Sequence, residues 1–225
     1  MRYAKITERL QGLGSEKWAV HIEGKEREAK GEKLIFLSIG EPDAAVPETI
    51  MDVAERQMRQ GRTRYSNGRG EPQVLRALSA LYSKRTGRHV SPSQFLFLPG
   101  TQTALYVAFM GVIDIGDEVL LPDPYYATYE GVIAAAGGLP VPVRADPDRG
   151  FHLSAEDLRK KITPKTRALL LNTPGNPTGT VFTADEIARI GALCQEHDLW
   201  IVSDEVYATL TYGNTVFVSP FDNKA

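Results

Sequence analysis

Four short stretches of this chain hold residue types that do chemistry, and each directly follows an apolar run. Residues 95–98 lead into Pro99-Gly100-Thr101-Gln102-Thr103, and residues 118–121 lead into Pro122-Asp123-Pro124-Tyr125-Tyr126. Residues 167–171 lead into Asn172-Thr173-Pro174-Gly175-Asn176-Pro177-Thr178-Gly179, and residues 199–203 into Asp204-Glu205-Val206-Tyr207. The Gly100-Thr101-Gln102 turn opens a helical pattern. Free N–H groups and the helix dipole make such a start an anion site, Gly100 allows close approach, and Thr101 adds a hydroxyl. Asp204 follows a buried-type run, so its carboxylate is partly desolvated and needs a cationic or donor partner. Tyr125 and Tyr126 offer flat rings for a planar heteroaromatic ligand. The Asn172 to Gly179 loop, stiffened by two prolines, fixes amide side chains in place. Plainer readings of the same residues are an ordinary β–α turn, a helix cap at Asp204 and core burial of the tyrosines.

The elements that must position these groups follow from the pattern. Strands are expected over residues 34–37, 95–98, 118–121, 139–143, 167–171 and 199–203. Helices are expected from Pro47 to about Gly61, from Pro72 to Gly87, and over residues 103–112 and 129–136. Ile50, Val53, Ala54 and Met58 share one face of the first of these. Ser154-Ala155-Glu156-Asp157 and Thr183-Ala184-Asp185-Glu186 read as capping-box starts, the second helix running to about His197. Residues 23–30 read as a solvated helical face. Strands alternating with helices of this length predict an α/β domain with a mainly parallel sheet flanked by helices. In open α/β sheets, ligands bind beyond the carboxyl ends of the strands, where all four stretches lie. They therefore read as one site.

Composition bounds the function class. The chain has 225 residues, 26 Lys plus Arg against 28 Asp plus Glu, a net charge of −2 and 42% hydrophobic residues. That balance excludes the disordered class and argues against nucleic acid, whose binders carry a basic face. The one cysteine, Cys194, excludes a disulfide framework and any multi-cysteine metal site. No metal is expected, and Cys194 reads as a small core residue. The N-terminal residues lack a secretory pattern. The charge-free stretch from Ser91 to Ile113 is broken by Pro92, Pro99 and Gly100 and does not read as a membrane span. A cytoplasmic globular protein is the expectation.

The sequence also resembles a known family. Asn172 to Gly179 followed by Ser203-Asp204-Glu205-Val206-Tyr207, in that order and spacing, is similar to the class I/II pyridoxal-phosphate aminotransferases of fold type I. Ser38-Ile39-Gly40-Glu41-Pro42-Asp43, Thr63-Arg64-Tyr65-Ser66, Pro99 to Leu105 and Pro124-Tyr125-Tyr126 match the family's other landmarks. The resemblance covers essentially the whole chain. It implies the aminotransferase large domain, truncated before its C-terminal part. Residues 1–45 would be an N-terminal arm and small-domain segment, and residues 46–225 an incomplete cofactor-binding large domain.

The resemblance further implies pyridoxal 5'-phosphate as cofactor and assigns roles. Asp204 would pair with the pyridine nitrogen, and Asn176 and Tyr207 would bond the ring's 3-oxygen. Tyr126 would stack on the ring, with Gly100, Thr101 and Gln102 at the phosphate. Tyr65 would reach the phosphate of the other subunit of a homodimer. Gly40, Trp18 and Asn172 would line the substrate side. Gly175 departs from the family, which usually has Asn there, and so does Ala44-Ala45 after Asp43. The family's Schiff-base lysine, in a Ser-x-x-Lys setting, does not occur after Tyr207, and Lys224 has neither the setting nor the distance. The lysine is therefore expected outside these residues. The expected reaction moves an amino group between an amino acid and a 2-oxo acid. A pyridoxal-phosphate lyase, such as a carbon–sulfur β-lyase, and a non-catalytic aminotransferase-like binding module are the alternatives.

Overall fold

The computed structural model of the chain describes residues 2–13 and 16–222, so Lys224 lies outside the described residues. In chain order the α-helices are α1 (Lys5–Arg9), α2 (Ala19–Ala29), α3 (Glu48–Arg59), α4 (Pro72–Thr86), α5 (Thr101–Val112), α6 (Tyr129–Ala136), α7 (Ala155–Arg159) and α8 (Ala184–Glu196). The strands are β1 (Glu118–Asp123), β2 (Leu139–Arg144), β3 (Thr166–Asn172) and β4 (Trp200–Asp204). The chain divides into two compact units. One joins Met1–Gly14 to Leu98–Ala225, and the other is Ser15–Phe97.

The first unit is the α/β body that the alternation predicts. Its strands are all parallel, in the order β2-β1-β3-β4. Parallel strands need crossovers, and α6, α7 and α8 supply the three connections. Helices on both faces explain why β3 reads as a continuous apolar run: no position in Leu169-Leu170-Leu171 meets water. The period of two divides the core. Val119, Leu121, Ala168 and Leu170 pack with Leu105 and Phe109 of α5 and with Val132 and Ile133 of α6. Leu120, Leu169 and Leu171 pack on the other face with Leu158 of α7 and with Ile187, Ile190 and Leu193 of α8. Cys194 belongs to that second cluster at 3% exposure, and burial pushes its thiol up to about 11. A thiol held protonated in a core is inert.

Both expected capping boxes form. Ser154 and Asp157 exchange bonds at the start of α7, and Thr183 and Glu186 do so at the start of α8. The expected strand over residues 95–98 is absent: the segment is extended but lies in no sheet. One of its N–H groups, that of Phe97, donates to the carbonyl of Arg69 at 2.9 Å, which is a single contact and not a ladder. An apolar run without a partner strand does not make a strand.

In the Ser15–Phe97 unit, α4 closes on Gly87 in the left-handed conformation; its own Leu75 is buried, as is Val90. The run over residues 34–37 is also no strand, and Ile35 and Leu37 are almost fully exposed. The α3 helix forms where the pattern placed it. Its apolar positions Ile50, Val53 and Met58 are nonetheless exposed, because no described element covers that face.

Candidate active site

The site begins with the pleat. Asn172 and Asp204 are the last paired rung of β3 and β4, directly after the Leu170–Val202 and Leu171–Ser203 pairs. Alternation gives Asp204 the parity of Val202, which packs with the α5/α6 core. The carboxylate therefore emerges on the face of α5 and α6, one step past the end of the apolar stripe. Ser203 takes the opposite parity, and its hydroxyl is buried with no hydrogen-bond partner among the described residues.

Asp204 is only 6% exposed. The Tyr129 hydroxyl donates to its Oδ2 at 2.7 Å, and the Val206 N–H donates to its Oδ1 at 3.2 Å. Both donors are neutral. Among the described residues Asp204 has no cationic partner, although a buried carboxylate gains most from one. Tyr129 itself is 3% exposed. Burial first, and then the charge of Asp204, raise its hydroxyl well above the ordinary tyrosine range. It therefore stays a hydrogen-bond donor at every physiological pH.

A cavity of about 210 Å³ opens here, lined by Thr101, Gln102, Leu105, Tyr126, Thr128, Tyr129, Asn176, Asp204, Val206 and Tyr207. The α5 helix presents its N-terminus to this cavity through Thr101 and Gln102. Gly100 precedes it at φ 86°, and no side chain caps the helix end. Its first-turn N–H groups thus lack intrahelical acceptors and a capping oxygen, so they attract negative charge. Tyr126 sits edge-on to Tyr129, ring centroids 5.6 Å apart, and is more than one-third exposed. The Asn176 Nδ2 donates to the Tyr207 hydroxyl at 3.3 Å.

The loops after β1, β3 and β4 and the start of α5 thus meet where the strand order reverses between β1 and β3. That is the position at which open α/β sheets bind ligands. Of the residues singled out from sequence, the fold gathers Thr101, Gln102, Tyr126, Asn176, Asp204 and Tyr207 around one cavity, with Gly100 at the helix start beside it. Asn172 does not line it; its amide is engaged by backbone groups on both sides. Tyr65, Gly40 and Trp18 belong to the Ser15–Phe97 unit. There Tyr65 is fully exposed and Gly40 lies in a loop, while Trp18 packs edge-on to His21 with centroids 6.3 Å apart. Tyr129 was missed, because in sequence it is merely the first residue of an apolar helix. Its spacing of three from Tyr126 was the available signal, since the turn leading into α6, closed by the Tyr129 N–H on the Tyr126 carbonyl at 3.1 Å, brings the two rings together.

Among the described residues the cavity lining contains no lysine, no group of three or more His, Cys, Asp or Glu could hold a metal ion, and no helix is long and apolar enough to cross a membrane.

The family model described as aminotransferase class I and II matches residues 32–223. The chain is 37% identical over 220 residues to the arginine–pyruvate transaminase of Pseudomonas aeruginosa, covering 98% of this chain and 56% of that protein. It is 39% identical over 201 residues to a probable aspartate/prephenate aminotransferase of Aquifex aeolicus, covering 89% and 51%. Among solved structures it is similar to the aspartate aminotransferase of Thermus thermophilus with maleate. The TM-score is 0.90 at 35% identity, over 99% of this chain and 58% of that one. The chain spans about half the length of the curated relatives it matches.

Proposed function

The chain belongs to the class I and II aminotransferase family, and from that premise we propose that the protein moves an amino group between an amino acid and a 2-oxo acid with pyridoxal 5'-phosphate as carrier. One observation carries this reading: Asp204 is a buried carboxylate with two neutral donors and no described cationic partner, aimed into a cavity shared with an uncapped helix N-terminus. A flat, phosphorylated heterocycle with a ring nitrogen that becomes cationic fits both features, and a neutral ligand would satisfy neither.

When bound, the cofactor supplies an electron sink for the bonds at the amino acid's α-carbon. The residues of this chain supply its electrostatics and its position. Asp204 would hold a proton at the ring nitrogen, because its own negative charge is stabilised by Tyr129 and Val206 but not neutralised by them. Thr101, Gln102 and the free N–H groups at the start of α5 would bind the phosphate, with Gly100 keeping that approach open. Tyr126 would offer its ring as a stacking surface. Asn176 and Tyr207, already bonded to each other, would hydrogen-bond the ring's 3-oxygen. No described lysine lines the cavity, so in this reading the lysine that transfers protons comes from polypeptide outside these residues. Gly40 and Trp18 are assigned to the substrate side. The exposed Tyr65 is assigned to the phosphate of a second copy in a homodimer. Residues 1–45 and 46–225 remain our proposed division into an arm with small-domain segment and a cofactor-binding domain. Cytoplasmic location is part of the same proposal.

Titration with pyridoxal 5'-phosphate and transfer of labelled amino nitrogen from a panel of amino acids to 2-oxo acids test this reading. Saturable cofactor binding and nitrogen transfer are expected. Asp204→Ala should reduce transfer by on the order of 10²- to 10³-fold, the loss typical of one preorganised electrostatic group. Release of ammonia and a 2-oxo acid without an acceptor would assign a lyase instead. Cofactor binding with no turnover on any substrate would assign a binding module, and no cofactor binding would sink all three.

A further inference from the structure

Asn172 stands at the end of β3 opposite Asp204, on the last rung of the β3–β4 ladder. Its side chain reaches two separate main-chain groups. The Nδ2 donates to the Asp204 carbonyl at 3.0 Å, and the Oδ1 accepts from the Asn176 N–H at 2.7 Å. The Asp204 carbonyl has a second donor, the Thr173 N–H at 3.2 Å. The Asn176 side chain then donates to the Tyr207 hydroxyl at 3.3 Å. Because Tyr207 lies three residues after Asp204, these contacts close a ring. Residues 172–176 and 204–207 are tied together by the Asn172 amide, by the Thr173 N–H and by the Asn176–Tyr207 pair.

We infer that Asn172 is a positioning residue, a clamp that holds the backbone of Asn176 in register with the backbone of Asp204. This rests on the reading above, in which Asn176 and Asp204 contact one cofactor ring. The chemistry at position 172 is restrictive. A carboxamide carries a donor and an acceptor on opposite arms of one planar group, and its two targets are the last residue of β4 and the loop that follows β3. A carboxylate offers only acceptors, a hydroxyl is one atom and cannot span both sites, and an apolar side chain engages neither. Asn172 does not line the cavity, so it acts through the groups it holds. The two bonds also differ in consequence. Losing the Nδ2 contact leaves the Asp204 carbonyl bonded to Thr173. Losing the Oδ1 contact takes away the acceptor that the Asn172 amide supplies to the Asn176 N–H, which is the costly kind of loss.

Hydrogen exchange of the Asn176 amide, measured on the protein without cofactor, tests the clamp directly. Asn172→Ala should accelerate that exchange by about tenfold or more, as the loss of one hydrogen bond implies. Asn172→Asp keeps the acceptor but sets its second oxygen against the Asp204 carbonyl, so Asn176 should exchange at a rate between those of the wild type and Asn172→Ala. In the same variants, the pyridoxal 5'-phosphate dissociation constant should rise in both, about tenfold for Asn172→Ala. The KM for the amino acid should stay near wild type in both. Unchanged Asn176 exchange in Asn172→Ala overturns the inference. So does a raised amino-acid KM with unaltered cofactor affinity, which would make Asn172 a substrate contact. If Asn172→Ala does not fold, the wild-type protein alone decides: an Asn176 amide that exchanges as fast as an unstructured one refutes the clamp. Failure of the wild-type protein to bind the cofactor would sink the proposed function, while the exchange result without cofactor would still stand or fall by itself.

Discussion

Asp204 is set by three neighbours of different kinds: a rung partner, a backbone N–H and the Tyr129 hydroxyl. A hydrogen bond to a charged group contributes about 1.5–3 kcal/mol. Tyr129→Phe should therefore lower stability at neutral pH by roughly that amount, read by chemical denaturation, and should weaken pyridoxal phosphate binding. The pH dependence has a definite sign. Burial, followed by the charge of Asp204, raises Tyr129 above its ordinary value of 10.0. Burial and then the Glu130 hydrogen bond push Tyr125 up to about 12. In the unfolded chain both ionise at their ordinary value, so their contribution to stability is complete below it. It is lost as pH rises, through about 12 for Tyr125 and higher still for Tyr129. The stability gap between wild type and Tyr129→Phe should therefore shrink in alkaline solution. A gap that widens with pH would contradict the assigned bond.

Two helix starts carry the element-scale arguments. At α5, Gly100 adopts φ 86° and ψ 140°, a region essentially reserved for glycine. A Cβ built there would meet nothing within 4 Å, so the cost of a substitution is backbone strain and not a clash. Gly100→Ala should cost about 1–3 kcal/mol and loosen binding of inorganic phosphate as well as of the cofactor, which isothermal titration would show. At α8, the Glu186 carboxylate accepts from the Thr183 N–H and hydroxyl at 2.8 Å and lies 2.9 Å from His152 Nδ1. Burial alone would raise this carboxyl, but the Thr183 bonds and His152 outweigh it and hold it below its ordinary value of 4.5. A depressed carboxyl stabilises the fold above the unfolded-state value and loses that contribution as pH falls through its folded value. Thr183→Ala should therefore cost about 1 kcal/mol at neutral pH, and acidification below the ordinary carboxyl range should narrow the difference. Thermal unfolding of both proteins across that range is the check.

For the whole molecule, the exposed Tyr65 carries the proposed dimer. Tyr65→Phe should weaken cofactor binding about tenfold, the effect of one hydrogen bond to a charged phosphate. Mixing Tyr65→Phe subunits with inactive subunits that retain Tyr65 should restore one normal phosphate contact per hybrid. A fully active monomer by analytical ultracentrifugation would remove Tyr65 from the site.

The linear chain determined the parts whose cause is local. Apolar runs of four or five residues became strands wherever a parallel partner lay beside them, and Ser154 and Thr183 capped helices because the cap and its reciprocal carboxylate are three residues apart. The polar stretches after the runs at residues 118–121, 167–171 and 199–203 fell at strand ends, since a parallel sheet delivers every carboxyl end to one edge. The same kind of apolar run at residues 34–37 and 95–98 found no partner strand and stayed unpaired, which composition cannot foretell. Departures from the family pattern also took their meaning from packing. A Cβ at Gly175 would lie 3.1 Å from Thr178 Oγ1 and 3.2 Å from the Asn172 carbonyl, so the bare backbone suits this tight loop. Tertiary structure alone decided that Tyr129 serves Asp204 across 75 residues, and that Asn172 spends its amide on Asn176 and Asp204. Sequence reveals residue type and spacing, but a hydrogen bond between distant residues depends on strand order, pleat parity and the angle at which a helix returns. Those quantities exist only once the chain has closed on itself.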